Sequence, residues 1–296
     1  MSAGGPANAA GLRRDALRER LALFSLSLPA LVLVVVTMVI PVAWLFWLSF
    51  LADDGSLSLV NYRRLVVQPS YGRILLTTFE VSGLATLICV VLGYPLAYVL
   101  SQLRPRVANL CMLGVLMPFW TSILVRTYAW LVLLQRNGLV NDWGKRLGLW
   151  EAPVSLVYNL PGTLVGLVHI MLPFLVLPLY GSMRAIDRDY LRAAANLGAS
   201  PAAAFRQVFF PLSLPGLLAG SLIVFILCLG AYVTPAMLGG GRVIMVANGI
   251  ATDIQMFFNW GAASALGVVL LVLAAAMLFI ASRLTRLDRL FGSHGT

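Results

Sequence analysis

The chain has 296 residues and a formal net charge of +10, yet 60% of it is hydrophobic and only 11% is charged. A soluble domain carries roughly 45–50% apolar and 25% charged residues, so this chain needs lipid as its main solvent, and no polar block is large enough to fold separately. The basic residues sit in short segments between apolar runs instead of on one face, which argues against nucleic-acid binding and for a charge pattern that orients the chain in a membrane.

An Arg-rich stretch, Arg13, Arg14, Arg18 and Arg20, precedes an apolar run from Leu21 to Leu51. The run is too long for the apolar region of a signal peptide and no small-residue cleavage site ends it, so an uncleaved first helix is expected. A spanning helix needs about 20 apolar residues, and candidate spans lie near 23–51, 74–103, 109–135, 158–183, 212–238 and 262–284. The expected fold is thus an all-α polytopic membrane protein of about six spans: an N-terminal tail 1–22, a transmembrane domain 23–284 and a C-terminal tail 285–296. With an even number of spans both termini share one side, and that side holds thirteen Arg against seven Lys or Arg opposite. Basic excess marks the cytoplasm, so both termini and the loop near 184–211 are expected inside, in a bacterial inner membrane.

The tryptophans, among them Trp44, Trp47, Trp130 and Trp260, fall mostly near span ends, where indole rings prefer the headgroup layer. Between Arg136 and Tyr158, Val140, Trp143 and Leu147 follow helical spacing, which predicts a short interfacial helix. Cys89, Cys111 and Cys228 all lie in apolar runs without a CxxC pair and read as buried reduced thiols.

The most informative stretch runs from Asp187 to Pro215 and parses as helix, tight turn, helix, stop. Tyr190 to Leu197 holds good helix formers, Gly198 supplies a left-handed residue that ends a helix, and Ser200-Pro201 is an N-cap followed by proline at the first helical position. Pro211 and Pro215 are expected to end the second helix. Ala193, Ala194 and Ala195, with Ala202, Ala203 and Ala204, leave a slim, rigid knob around which a partner can close. A merely solvated helix would carry more charge.

This stretch resembles the EAA loop of permease subunits of ATP-binding-cassette importers: Ala193, Ala194, Gly198, Pro211 and Pro215 match in order and spacing. The resemblance implies a type I permease fold and a coupling helix, with Ala199, Ser200, Pro201, Ala203 and Phe205 in the same docking loop. It also implies partners: two ATPase subunits carrying ATP and Mg, a second permease and an external substrate-binding protein, with no cofactor on this chain. Where the pattern has Glu this chain has Arg192, so the family's charge contact does not carry over; Asp189, three residues earlier, is a candidate replacement carboxylate. Pro118-Phe-Trp-Thr-Ser-Ile-Leu-Val-Arg-Thr-Tyr-Ala-Trp130 and Ala231-Tyr-Val-Thr-Pro-Ala-Met-Leu-Gly-Gly240 are similar to the spermidine/putrescine branch, although importers of opines and related amines look alike.

A charge at the bilayer centre costs roughly 2.5–3.5 kcal/mol. Glu80 and Arg126, estimated at about 9 and 13 Å below the outer surface from the helical rise, are expected to form an ion pair between neighbouring helices or to guide a cation. Asp253, Trp120, Tyr128 and Tyr232 are candidate pathway residues through charge and cation–π contact, with anchoring or packing the alternative for each ring. His169 stands without a second ligand at metal spacing and reads as a hydrogen-bonded packing residue, so no metal site is expected. The sequence has no GxxxxGK[ST] phosphate loop, GxSxG or HExxH, so the chain is not itself the ATPase and is not expected to be an enzyme. A secondary transporter would show inverted repeats and interrupted helices, and neither is visible in the sequence.

Overall fold

The computed structural model describes residues 25, 27–52 and 54–291, with side chains described through 280 and at 283. The tail 1–22 with its four arginines, residues 292–296 and the side chains of Arg286 and Arg289 lie outside that description.

Helix α1 (Ser27–Ser49) is apolar throughout and carries one wide π-turn at Val35–Val39, closed by the Ile40 N–H on the Val35 carbonyl. Pro41 follows immediately. A proline lacks the N–H for the carbonyl four residues back and its ring strikes that carbonyl; widening the turn by one residue relieves the clash and keeps the helix continuous. The short helix α2 (Val60–Val67) is tied to the end of α1 by the buried Asn61, whose Nδ2 donates to the carbonyls of Ser49 and Leu51 at 3.1 and 2.8 Å.

Helix α3 (Pro69–Gln102) spans with Pro95 inside it. Helix α4 (Pro105–Leu116) tightens into a 3₁₀ turn over Met117–Trp120, and α5 (Ile123–Leu133) leaves it at 97°. The span expected as one helix over 109–135 is therefore broken. Pro118 withdraws an N–H, and Thr121 and Ser122 are both extended, with ψ 144° and 141°. Helix α6 (Leu139–Arg146) is the expected short helix of the far end, but its buried residues are Asn141 and Gly144, while Trp143 and Leu147 are exposed. Val140 of the expected face instead packs against the cluster of Leu134, Val157 and Leu238, so the outward side is Leu139, Trp143 and Leu147 and the inward side holds the small or hydrogen-bonding residues.

Helix α7 (Leu160–Arg184) is the central element, packed against both α3 and α9 (Pro201–Leu229), which also pack against each other. Between them, α8 (Arg188–Asn196) forms the first arm of the loop. The chain then passes through α10 (Val233–Leu238), α11 (Val246–Gln255) and the last span, α12 (Trp260–Phe291). Close approach of α3, α7 and α9 depends on glycine. A Cβ on Gly93 would lie 2.6 Å from Leu175 Cδ2, one on Gly220 would lie 2.9 Å from the Leu175 carbonyl, and one on Gly216 would run into the Ser182 side chain. Lipid offers no hydrophobic drive between helices, so such small-residue contacts and their dispersion energy carry the association. Cys89 and Cys228 are buried in this core as expected, but Cys111 is exposed on the outside of α4.

Candidate functional site

The loop between α7 and α9 is built from local rules. The Asp187 carboxylate accepts the Asp189 N–H at 2.9 Å and caps α8. At the other end Gly198 has φ +85°; its N–H reaches the Ala195 carbonyl at 2.9 Å, and the Ala199 N–H reaches the Ala194 carbonyl at 3.0 Å. That pair of bonds is a Schellman cap, which requires the left-handed residue that glycine adopts without a Cβ penalty. Ser200 Oγ then accepts the Ala203 N–H at 3.3 Å and Pro201 takes the first helical position. Helix, turn and second helix are thus as the sequence predicts.

The expected stop is not there. Pro211 and Pro215 do not end the second arm: it runs unbroken into the span, through a π-turn at Phe205–Phe209 closed by the Phe210 N–H on the Phe205 carbonyl. The register is that of α1, a wide turn immediately before a proline, and the physical reason is the same. The second arm of the knob and the membrane helix are therefore one continuous rod.

Ala193, Gly198, Ser200 and Pro201 are exposed; Ala194, Ala199, Ala203 and Phe205 are half-buried between the arms. Ser200, Ala202, Ala203, Phe205 and Arg206 line an open cavity of about 480 Å³ beside the knob. Arg192 donates to Asp189 at 2.9 Å, with both side chains about three-quarters exposed, so the Arg in the Glu position has a carboxylate of its own chain beside it in a solvent-screened surface pair. Sequence reasoning passed over Leu197, 90% exposed at the tip, and Tyr190, 59% exposed; an apolar residue directly before the capping glycine was the available signal. It also passed over Arg184, which donates to the carbonyls of Ser101 and Leu103, both at 3.1 Å. Arg184 thereby pins the start of the loop to the end of α3.

The pathway candidates do not form one cluster. Glu80 is exposed on the outer face of α3, and it forms no ion pair with Arg126 among the described residues. The in-chain pair expected from depth is thus absent: buried residues of α3 such as Val81, Ser82 and Ala85 put Glu80 on the opposite side of its helix. Arg126 is half-buried, with its Nε enclosed and without a partner. Asp253 is 6% exposed and accepts the Tyr71 hydroxyl at 3.2 Å, a bond that ties α11 to α3 and withdraws the carboxylate from solvent. Burial pushes its pKa above the ordinary value, opposed by the Tyr71 bond. Trp120 is 74% exposed at the α4–α5 break, Tyr128 is exposed on α5, and Tyr232 is exposed at the break between α9 and α10. The two breaks meet through α5 and α10, where Thr127 and Thr234 hydroxyls lie 3.4 Å apart, so both membrane motifs of the sequence fall at interrupted helices that touch. His169 is the expected packing residue: its Nδ1 accepts the Trp130 Nε1–H at 3.1 Å, which also takes Trp130 away from the headgroup role expected for it.

Long apolar helices, an exposed two-helix knob continuous with a span, and a sequence without a nucleotide-binding loop define a class: the membrane permease subunit of a transporter whose ATPase is a separate chain. The chain belongs to the family of binding-protein-dependent transport system inner membrane components, whose model matches residues 4–287. It is 35% identical over 245 residues to the spermidine/putrescine transport system permease protein PotB of Haemophilus influenzae, covering 81% of this chain and 85% of that one. It is 34% identical to PotB of Escherichia coli, covering 81% and 89%. Identity to the molybdenum transport system permease protein ModB of Mycobacterium bovis is 30% over 212 residues, 71% of this chain and 78% of the other. Among solved structures, a bacterial ABC transporter involved in import of the acidic polysaccharide alginate superposes with a TM-score of 0.73 at 16% identity, covering 93% of this chain and 98% of that one. Interrupted helices, which the sequence did not reveal, are thus present in this chain, and it is the family match that places it among binding-protein-dependent permeases.

Proposed function

We propose that this chain is one of two paired permeases that import a small polycationic amine of the spermidine/putrescine kind, driven by two ATPase subunits that grip the α8–α9 loop. The carrying observation is the loop geometry: a capped alanine knob, tipped by Leu197, that continues without a break into α9. The identity to PotB proteins supports the amine as cargo. Both termini and the loop lie in the cytoplasm on this reading, supported by the distribution of Arg, and an external binding protein delivers the amine to the opposite side.

Each residue then has a role. Leu197, Ala193 and Pro201 enter the ATPase cleft, and Arg192 presents a pair with Asp189 in place of a lone carboxylate. ATP and Mg, held by the ATPase, supply the closing motion. The loop shifts with it, and α9 turns as a lever between inward-open and outward-open states, a rigid-body exchange. Trp120, Tyr128 and Tyr232, exposed around the two breaks, offer aromatic faces to an ammonium group, each such contact contributing about 0.5–2 kcal/mol according to its desolvation. Arg126, half-buried on α5 with its Nε enclosed and unpartnered, is the charge beside the route on this reading, while Glu80 faces outward from α3.

The test is reconstitution with the cognate ATPase and binding protein in proteoliposomes, scoring ATP hydrolysis and uptake over spermidine, putrescine, amino acids and opines. Stimulation by the two polyamines at the lowest concentration supports the reading. Transport by this chain alone, or preference for an uncharged solute, ends it.

A further inference from the structure

The loop joins the membrane domain twice, and the second junction is made of rings. Tyr98 on α3 meets Phe205 with ring centroids 5.3 Å apart at 82° and Phe209 at 5.2 Å and 83°, both edge-on. Phe205 and Phe209 stack on each other at 5.8 Å and 19°, as residues four apart on one helix face do. One turn away, Tyr94 meets Phe205 and Phe210 at 6.3 and 5.8 Å, and its hydroxyl bonds Ser213 Oγ on α9 at 2.9 Å. Edge-to-face pairs at these separations are favourable and directional, so the two helices cannot slide past each other without breaking several contacts at once.

The backbone route is softer. The π-turn over Phe205–Phe209 and Pro211 leave the helical ladder irregular at the level where a displacement of the knob would pass into α9. On the α3 side the rings flank Pro95, a second interruption of the ladder. A stiff side-chain junction therefore bridges two compliant stretches of backbone.

We infer that Tyr98, held edge-on by Phe205 and Phe209, is a positioning residue that delivers the movement of the loop to α3, so that α3 and α9 turn as one body. The inference rests on the loop being the ATPase dock. Tyr98 touches neither the exposed tip of the knob nor the helix breaks, and its hydroxyl makes no hydrogen bond among the described residues, so the ring alone is the working part.

The experiment uses the complete transporter in proteoliposomes and measures amine imported per ATP hydrolysed. Tyr98→Ala is expected to keep the ATPase bound and hydrolysing while the ratio falls about fivefold or more, the lower end of a typical coupling between sites. Phe209→Leu, which keeps the bulk of the helix face but not the ring, lowers it in the same direction, and Tyr98→Phe restores the wild-type ratio. An unchanged ratio in Tyr98→Ala overturns the inference. So does a loss of ratio in Tyr98→Phe, which would assign the effect to the hydroxyl, or loss of the ATPase from the purified Tyr98→Ala complex, which would make the ring a support for docking. If the wild-type complex binds no ATPase, the reading of the loop fails first, and that result is distinguishable from all of these.

Discussion

Replacing Gly198 by alanine isolates the backbone geometry of the dock from its contacts. Nothing lies within 4 Å of the position a Cβ would occupy, while φ is +85°, so the methyl group meets no neighbour and the whole penalty is conformational. Holding a residue with a Cβ in the left-handed region costs roughly 1–2 kcal/mol. Relaxing it means giving up the Ala199-to-Ala194 and Gly198-to-Ala195 hydrogen bonds that close α8. Since one or two kcal/mol shifts a two-state population by about 5–30-fold, ATPase affinity should fall by a factor in that range as the docked conformation becomes scarcer. Binding of purified ATPase to the reconstituted permease, titrated with wild type, Gly198→Ala and Gly198→Asn, measures it. Asparagine tolerates the left-handed region better than alanine and should recover part of the loss. Equal affinities for all three, or a larger loss with asparagine than with alanine, would refute the argument from backbone geometry.

Gly216→Ala sets a methyl group against the Ser182 side chain and the Pro178 carbonyl and should destabilise the α7–α9 contact by about 1–3 kcal/mol, seen as a lower melting temperature in detergent. Gly181→Ala, with open space around it, should leave that temperature unchanged or raised and serves as the control. Asp253 has its pKa raised in the fold by burial, so the folded chain holds this proton at higher pH than the unfolded chain. Its contribution is therefore fully present below the ordinary carboxylate value of about 4 and is lost as pH rises through the folded value; Asp253→Asn should flatten that part of the stability profile. Arg192→Glu places two carboxylates on one turn of α8 and should weaken ATPase capture, with Asp189→Arg in the same chain restoring it; pull-down yield of the ATPase decides.

Composition, the six apolar stretches and the caps of the loop were legible in the residues because they are local or cumulative properties. Lipid selects long apolar runs whatever they pack against, and Asp187, Gly198 and Ser200-Pro201 act on backbone groups within a few positions. What the sequence did not disclose is how proline is accommodated. Pro118 marks a real break, with Thr121 and Ser122 extended beside it, whereas Pro211 sits inside a continuous rod because the preceding turn widened. Local preference permits either outcome, and packing against α3 and α7 selects one. Depth along a helix likewise suggested that Glu80 and Arg126 meet, but rotation about the helix axis decides contact, and the buried face of α3 turned Glu80 outward. The alanines and glycine of the docking knob were set by the chain's own chemistry; only tertiary structure joined the knob to α9 as one rod, exposed Leu197 at its tip and brought Tyr98 between two phenylalanines more than a hundred residues away, because those contacts depend on where whole helices come to rest.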